Sequence, residues 1–410
     1  MLTNTPMVLL VDDDAFILDM LRAQLLGMGY DRVICAANGT QAVAQLLAHG
    51  SQIGAIVFDL TMPDMDGMAL IERLAQRACT AGIILLSGAH THQLHYAAQQ
   101  VRSRHLNLLG VLGKPCATWQ LHTLLLGLHQ PAAVGANDAP ELAPRRLTQA
   151  LANGELVAWY QPVLACASAQ VLALEAQVQW PGLVGGLREP QRLVPALAAA
   201  GLNDELFLAL ARQAARDLAT WRRQQLAIKV ALTLSMATAR YAALAERLQH
   251  SLSTAGDCAS DIRCQVAERD LAADTVASLK GLSALAELGL SFSLDDFGMG
   301  HLHPAQLVTL PIQQIKIAAS LVQCASADAS ALAVVQQAVA LGQSQGWQVV
   351  AKGVQTQAQL ELVRRLGCDG AQGDGWGAPM SGAACTARLL QDSAVAPVPR
   401  SASDADKSDA

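Results

Sequence analysis

Three consecutive aspartates, Asp12, Asp13 and Asp14, directly follow a short apolar run, and Asp59 and Ser87 close two others. A lysine–proline pair, Lys114-Pro115, follows a fifth. Clustered carboxylates repel one another unless a hard cation joins them, and an oxygen-only donor set suits Mg²⁺. A metal, an ammonium and a hydroxyl around one aspartate can neutralise a phosphoryl group arriving on it. Other candidates carry less. His90, His92 and His95 open a helical segment with no Cys or acidic partner nearby, so they are expected to be surface residues rather than metal ligands, and His301 and His303 are read the same way. The glycine-rich piece from Pro181 to Gly186 lacks the lysine of a P-loop and is expected to be a plain loop.

For such distant residues to meet, the chain must bring strand ends to one edge. Short apolar runs at Met7–Val11, Arg32–Cys35, Ala55–Phe58, Gly82–Leu86 and Leu108–Leu112 alternate with segments of helical period. Five βα units predict an α/β, flavodoxin-like doubly wound sheet over residues 5–128, whose strands present their carboxyl ends together. Residues 129–143 lose periodicity and gain Pro, Gly and Ala, which marks a linker. Further strand candidates follow at Leu156–Tyr160, Val171–Glu175, Ala227–Thr233, Cys264–Ala267, Ser291–Leu294, Ile312–Lys316 and Gln348–Ala351. That many units within residues 144–392 suit a TIM-like barrel. Residues 393–410, rich in Pro, Ser, Asp and Ala, are expected to be a disordered tail.

Composition narrows the class. The 410 residues carry 28 Lys plus Arg against 34 Asp plus Glu, a formal net charge of −6, which argues against a polynucleotide binder with a basic surface. With 52% hydrophobic and 15% charged residues, the chain can bury large cores. No apolar run approaches the ~18–20 residues of a membrane span, and the N-terminus lacks the features of a secretory signal. Nine scattered cysteines without a CxxC pair fit reduced thiols. A cytoplasmic protein is expected.

The set Asp12-Asp13-Asp14, Asp59 to Gly67, Ser87 and Lys114-Pro115 resembles the receiver (REC) domain of two-component response regulators. The resemblance implies Asp59 as phosphoacceptor, Mg²⁺ held by Asp12, Asp13 and Asp59, and phosphoryl contacts from Ser87 and Lys114. It also implies a sensor histidine kinase as phosphodonor. Where such domains often carry an aromatic switch, three positions before the lysine, this chain has Val111.

From Leu147 to about Met380 a second set is similar to the EAL family of cyclic di-GMP phosphodiesterases. It comprises Tyr160-Gln-Pro162, Glu175 to Trp180, Leu234-Ser235, Glu268, Asp295-Asp-Phe-Gly298, Leu310-Pro311, Lys316-Ile317, Gly353-Val354 and Gln372-Gly373. The pairing resembles response regulators of the RocR type. In the family, two divalent cations in a carboxylate ring activate water against a phosphodiester. By this resemblance the remnant site consists of Glu175, Glu268, Asp295, Asp296, Lys316 and Gln372, with Glu268 bracing the loop after Gly298. The expected asparagine ligand is replaced by Thr233, acids by Gln265, Ala318, Lys352 and Gln355, and a phosphate-gripping arginine by Gln179.

Three surviving acids against Lys316 and Lys352 leave a formal charge of −1, too little to hold two divalent ions beside an extra ammonium. An Mg²⁺ or Mn²⁺ pair is therefore not expected, and Lys352 is expected to complete a buried ion network. Phe297, Trp180, Trp347 and Trp376 are assigned to packing. The preferred function is a response regulator acting through an unknown protein partner, with homodimers or higher oligomers implied by both families. The alternatives are a receiver-regulated phosphodiesterase and a receptor that binds cyclic di-GMP without cutting it.

Overall fold

The computed structural model describes residues 6–63, 65–88, 91–104, 106–126, 128, 142–181, 190–241, 243–253, 258–272, 275–299, 307 and 310–395. His90, His301, His303, residues 182–186, nearly all of the linker and residues 396–410 lie outside that set, and of His92 and His95 only the helical backbone is described. The chain divides into two compact units.

In the first unit, β1 (Met7–Val11), β2 (Val33–Ala36), β3 (Ile53–Asp59), β4 (Gly82–Ser87) and β5 (Leu108–Gly113) form a parallel sheet in the order β2-β1-β3-β4-β5. Helices α1 (Ala15–Gly27), α2 (Gly39–His49), α3 (Gly67–Gln76), α4 (Thr91–Ser103) and α5 (Thr118–Leu126) connect or follow the strands. Alternation explains the unbroken apolar runs. Leu9, Val11, Ile56, Phe58, Ile83 and Leu85 enter one core, whereas Val8, Leu10, Val57, Ile84 and Leu86 enter the other. A strand buried on both faces has no polar side to show. The order β2-β1-β3 reverses direction at β1, so a cleft opens between the carboxyl ends of β1 and β3.

The second unit closes eight strands into a barrel: β6 (Val157–Ala165), β7 (Val171–Gln179), β8 (Lys229–Thr233), β9 (Ile262–Ala267), β10 (Ser291–Phe297), β11 (Gln314–Ile317), β12 (Gln348–Ala351) and β13 (Gly370–Ala371). A ninth strand, β14 (Met380–Ser381), pairs with β6 from outside the ring. β7 to β13 run parallel, but β6 is antiparallel to both β7 and β13. Ala227, Ile228, Ile312 and Gln313, expected within strands, lie just before β8 and β11; Ile228 and Ile312 are buried, Ala227 is exposed, and the Gln313 backbone bonds to Phe292 and Gln348 immediately ahead of β11. The last helix, Gly382–Val395, carries regular structure three residues into the segment expected to be disordered.

The lumen is unusually polar for a barrel, whose interior is ordinarily layered with branched apolar side chains. A small apolar cluster of Val163, Ala173 and Val350 sits inside it. Register then puts Glu175, Ala231, Arg263 and Ser291 on one inward-facing row, and Thr233, Gln265, Ser293, Gln314 and Gln348 on another.

Candidate functional site

At the carboxyl edge of the first sheet, Asp12 and Asp59 are buried and Asp13 is exposed, and one ligand atom from each lies within 4.8 Å of the others. Lys114 Nζ sits 2.5 Å from Asp12 Oδ2 and 2.8 Å from Asp59 Oδ2. The Lys114 backbone N–H donates to the Ser87 carbonyl at 2.8 Å, which ties the lysine to the buried Ser87 at the end of β4. Asp14 is spent locally, capping α1 by accepting from the Phe16 N–H. Burial pushes the Asp12 carboxyl above its ordinary value, against the pull of Lys114, and the two carboxylates raise the lysine despite its own burial. Asp59 Oδ1 is buried with no hydrogen-bond partner. An open acceptor beside two further carboxylates fits a hard divalent cation. Val111, at 36% exposure, stands on the rim of β5.

In the barrel the surviving acids are already engaged. Glu175 Oε2 accepts from Lys316 Nζ, from Gln372 Nε2 at 3.0 Å and from Gln265 Nε2 at 3.3 Å. Lys352 Nζ reaches both oxygens of Asp295, at 2.8 and 2.9 Å, and Asp296 Oδ1 at 2.7 Å. Lys316 is fully buried, so its ion pair with Glu175 is among the driest contacts in the molecule. Burial pushes Glu175 up, but Lys316 and Lys352 outweigh it and hold the carboxyl at about 2. Burial also lowers Lys352, yet the attraction of Asp295, Asp296 and Glu175 raises it overall. Asp295 stays above its ordinary value because burial and the neighbouring Asp296 outweigh Lys352. Asp296 takes a left-handed φ of 53°, which is costly for a residue with a side chain.

Such a donor set does not fit a pair of divalent cations. An ammonium holds both oxygens of Asp295 and one of Asp296, and amide and ammonium donors converge on one oxygen of Glu175. Among the described residues these three acids do not form a carboxylate group of the kind seen in the first unit.

The other expected positions scatter. Gln179 is half-buried at the end of β7, Thr233 exposed at the end of β8, Ala318 buried after β11, and Gln355 exposed with its backbone N–H bonded to Gln359. None of these four touches the ion network through a side-chain hydrogen bond. Glu268 Oε2 accepts from the Gly298 and Met299 N–H groups at 3.0 Å each, bracing the loop after β10. Gly373 lets Gln372 reach the lumen, because a Cβ there would lie 1.9 Å from the Val354 carbonyl oxygen. Trp180 is buried under Arg146 and donates to Glu155 at 3.2 Å, and Trp347, Trp376 and Phe297 are half-buried.

Gln161, Gln177 and Gln372 fall within the sequence motifs, but the motifs do not foretell their joining into one amide chain beside the ion network. Gln161 Oε1 accepts from Gln177 at 3.0 Å and from Gln372 at 3.2 Å, while its Nε2 donates to Asp374 at 2.9 Å. The signal that could have found it is the placing of Gln161 and Gln177 within largely apolar strand runs, and the structure sets Gln161 opposite Glu175.

Known proteins share this architecture. The response regulator receiver domain model matches residues 8–126, and the EAL domain model matches 144–379. Cyclic di-GMP phosphodiesterase RocR of Pseudomonas aeruginosa is 28% identical over 381 residues, covering 91% of this chain and 96% of its own. Cyclic di-GMP phosphodiesterase NbdA of the same organism is 34% identical over 265 residues, 60% of this chain and 34% of that protein. The solved structure of PaMucR phosphodiesterase in complex with c-di-GMP matches with a TM-score of 0.56 and 30% identity, covering 59% of this chain and 98% of that one. The FimX EAL domain, at 21% identity and a TM-score of 0.54, shares the fold.

Proposed function

Because this chain belongs to the EAL domain family and carries a receiver domain ahead of that domain, we propose that it is a phosphorylation-controlled response regulator whose barrel signals by binding a protein partner rather than by hydrolysis. The observation that carries this is Lys352, bonded to Asp295 and Asp296 where a metal centre would need open carboxylates.

Asp59 is the phosphoacceptor. Its carboxylate oxygen attacks the phosphorus of a phosphohistidine on a sensor kinase; the P–N bond breaks and an acyl phosphate forms. Asp12 and Asp13, with Asp59, would hold Mg²⁺, which when bound offsets the charge of the incoming phosphoryl oxygens. Lys114 already spans Asp12 and Asp59 and supplies a second positive contact, with the Ser87 hydroxyl a neutral one. Phosphorylation alters the Lys114 pairing, and that change is what the rest of the chain reads.

The deciding experiment is cyclic di-GMP turnover by the purified chain with Mg²⁺ or Mn²⁺, with and without beryllofluoride. No linear dinucleotide is expected in either state. Metal-dependent product that disappears in Glu175→Ala would restore the receiver-regulated phosphodiesterase, the activity named for the relatives RocR and NbdA. Metal-independent binding of cyclic di-GMP, weakened by Lys352→Ala, would instead mark a receptor.

A further inference from the structure

The end of the barrel where β8, β9 and β12 begin holds a second feature. Arg263, on β9, points into the lumen and is only 6% exposed. Its Nη1 donates to Gln348 Oε1 at 3.1 Å, while Nε is buried with no partner. No carboxylate pairs with it among the described residues, although an arginine keeps its charge in a protein. Two acids at that end are engaged elsewhere. Asp261 is bonded to Arg222 at 2.7 Å, and Asp369 Oδ2 accepts from the Val349 N–H at 2.7 Å. Lys229, in register with lumen-facing Ala173, opens β8 at the same end and is exposed, as is Gln348. The inward neighbours of Arg263 in register are Ala231 and Ser291, both small.

A buried cation with one neutral acceptor is undercompensated, and its remaining edge, Nε with Nη2, is the pair of parallel donors that grips two oxygens of one anion. We propose that this end of the barrel binds a small oxyanion, a phosphate or carboxylate group, on the Nε/Nη2 edge of Arg263, with Lys229 adding attraction at the mouth. The slight exposure of Arg263 selects a small ion over a macromolecular surface. The site is separate from the phosphorylation site and does not rest on whether the barrel is catalytic.

The test uses the full chain in EDTA, with thermal unfolding followed against sodium phosphate, acetate and chloride at equal ionic strength. Phosphate or acetate should raise the melting temperature saturably relative to chloride, and the more effective of the two identifies the class. Arg263→Gln should abolish the increment, and Arg263→Lys, which keeps the charge but loses the fork, should raise the half-saturating concentration about tenfold. If Arg263→Gln fails to fold, the lysine variant carries the comparison. Equal effects of phosphate, acetate and chloride on the unaltered chain would overturn the proposal, as would an unchanged midpoint in Arg263→Lys.

Discussion

Replacing Lys352 with alanine tests the charge argument at its centre. The ammonium lies within 2.9 Å of three carboxylate oxygens, on side chains that are 16% exposed for Asp295 and 52% for Asp296. Removing one partner from a buried ion pair costs about 3–5 kcal/mol, because the other charge is left uncompensated. The half-exposed Asp296 contributes little of that, since solvent screens it, so the lower figure of ~3 kcal/mol applies. For a unit of this size that lowers the melting temperature by about 6–12 °C. The same substitution changes the formal charge of the centre from −1 to −2 and uncovers both Asp295 oxygens. A divalent ion should then bind, and binding only to the folded form stabilises it by mass action. Five of the six tryptophans lie in the barrel and one, Trp119, in the receiver, so fluorescence melts report chiefly on the barrel. Melts of Lys352→Ala at neutral pH should fall in EDTA and recover in millimolar Mn²⁺, whereas the barrel transition of the unaltered chain should not respond to the metal, any response being confined to the receiver. A variant that melts within a degree or two of the parent in EDTA, or that gains nothing from Mn²⁺, would refute the reasoning.

Further outcomes follow from the same structure. Asp59→Asn should abolish phosphorylation from acetyl phosphate, seen as loss of the phosphoprotein band on a phosphate-affinity gel. Glu175, held at about 2 against an ordinary 4.5, gives stability that is present above about pH 4.5 and lost as pH falls toward 2; by linkage this is ~3 kcal/mol, read from urea midpoints between pH 5 and 2.5. Protonation of Asp295, whose pKa is raised by burial, works in the opposite sense and should flatten the upper part of that curve. Burial pushes the thiols of Cys264, Cys368 and Cys385 up to about 12, so iodoacetamide at neutral pH should leave them unmodified in the native chain and label Cys35, Cys79 or Cys324 first. Gly373→Ala should fail to fold the barrel, measured as loss of the cooperative fluorescence melt, because the clash is with backbone.

Much of the architecture was legible because apolar runs mark strands. β1 and β12 coincide with their runs, Met7–Val11 and Gln348–Ala351. Where the structure extends a strand, it does so into polar residues that belong to the sites. β3 continues to Asp59, β4 to Ser87 and β10 through Asp295 and Asp296 to Phe297. Hydrophobic periodicity stops where the lumen or the cleft becomes charged, so it ends strands early at functional residues. Strand direction leaves no trace in periodicity, and so the antiparallel course of β6 was not readable from its pattern. The five residues between Ala165 and Val171 carried that information, because a parallel crossover needs a dozen or more. Two-residue strands such as β13 have no period at all and exist only through their partners.

The two carboxylate centres both set acids against lysines, and they differ in what the lysine leaves over. Lys114 takes one oxygen from each of Asp12 and Asp59, and Asp59 Oδ1 remains without a partner beside the exposed Asp13. A cation can complete that geometry without displacing the lysine. Lys352 instead takes both oxygens of Asp295 and one of Asp296, while Lys316 and two amides converge on a single oxygen of Glu175. Any metal entering there must first break ammonium–carboxylate contacts that are mostly shielded from water, and then share the space with two positive charges that stay behind. Lysine count alone does not decide between the two outcomes, since each centre holds its acids with ammonium groups. The deciding quantity is the number of carboxylate oxygens not already committed. That is why a change at position 352, and not at 114, is the substitution expected to create a metal site.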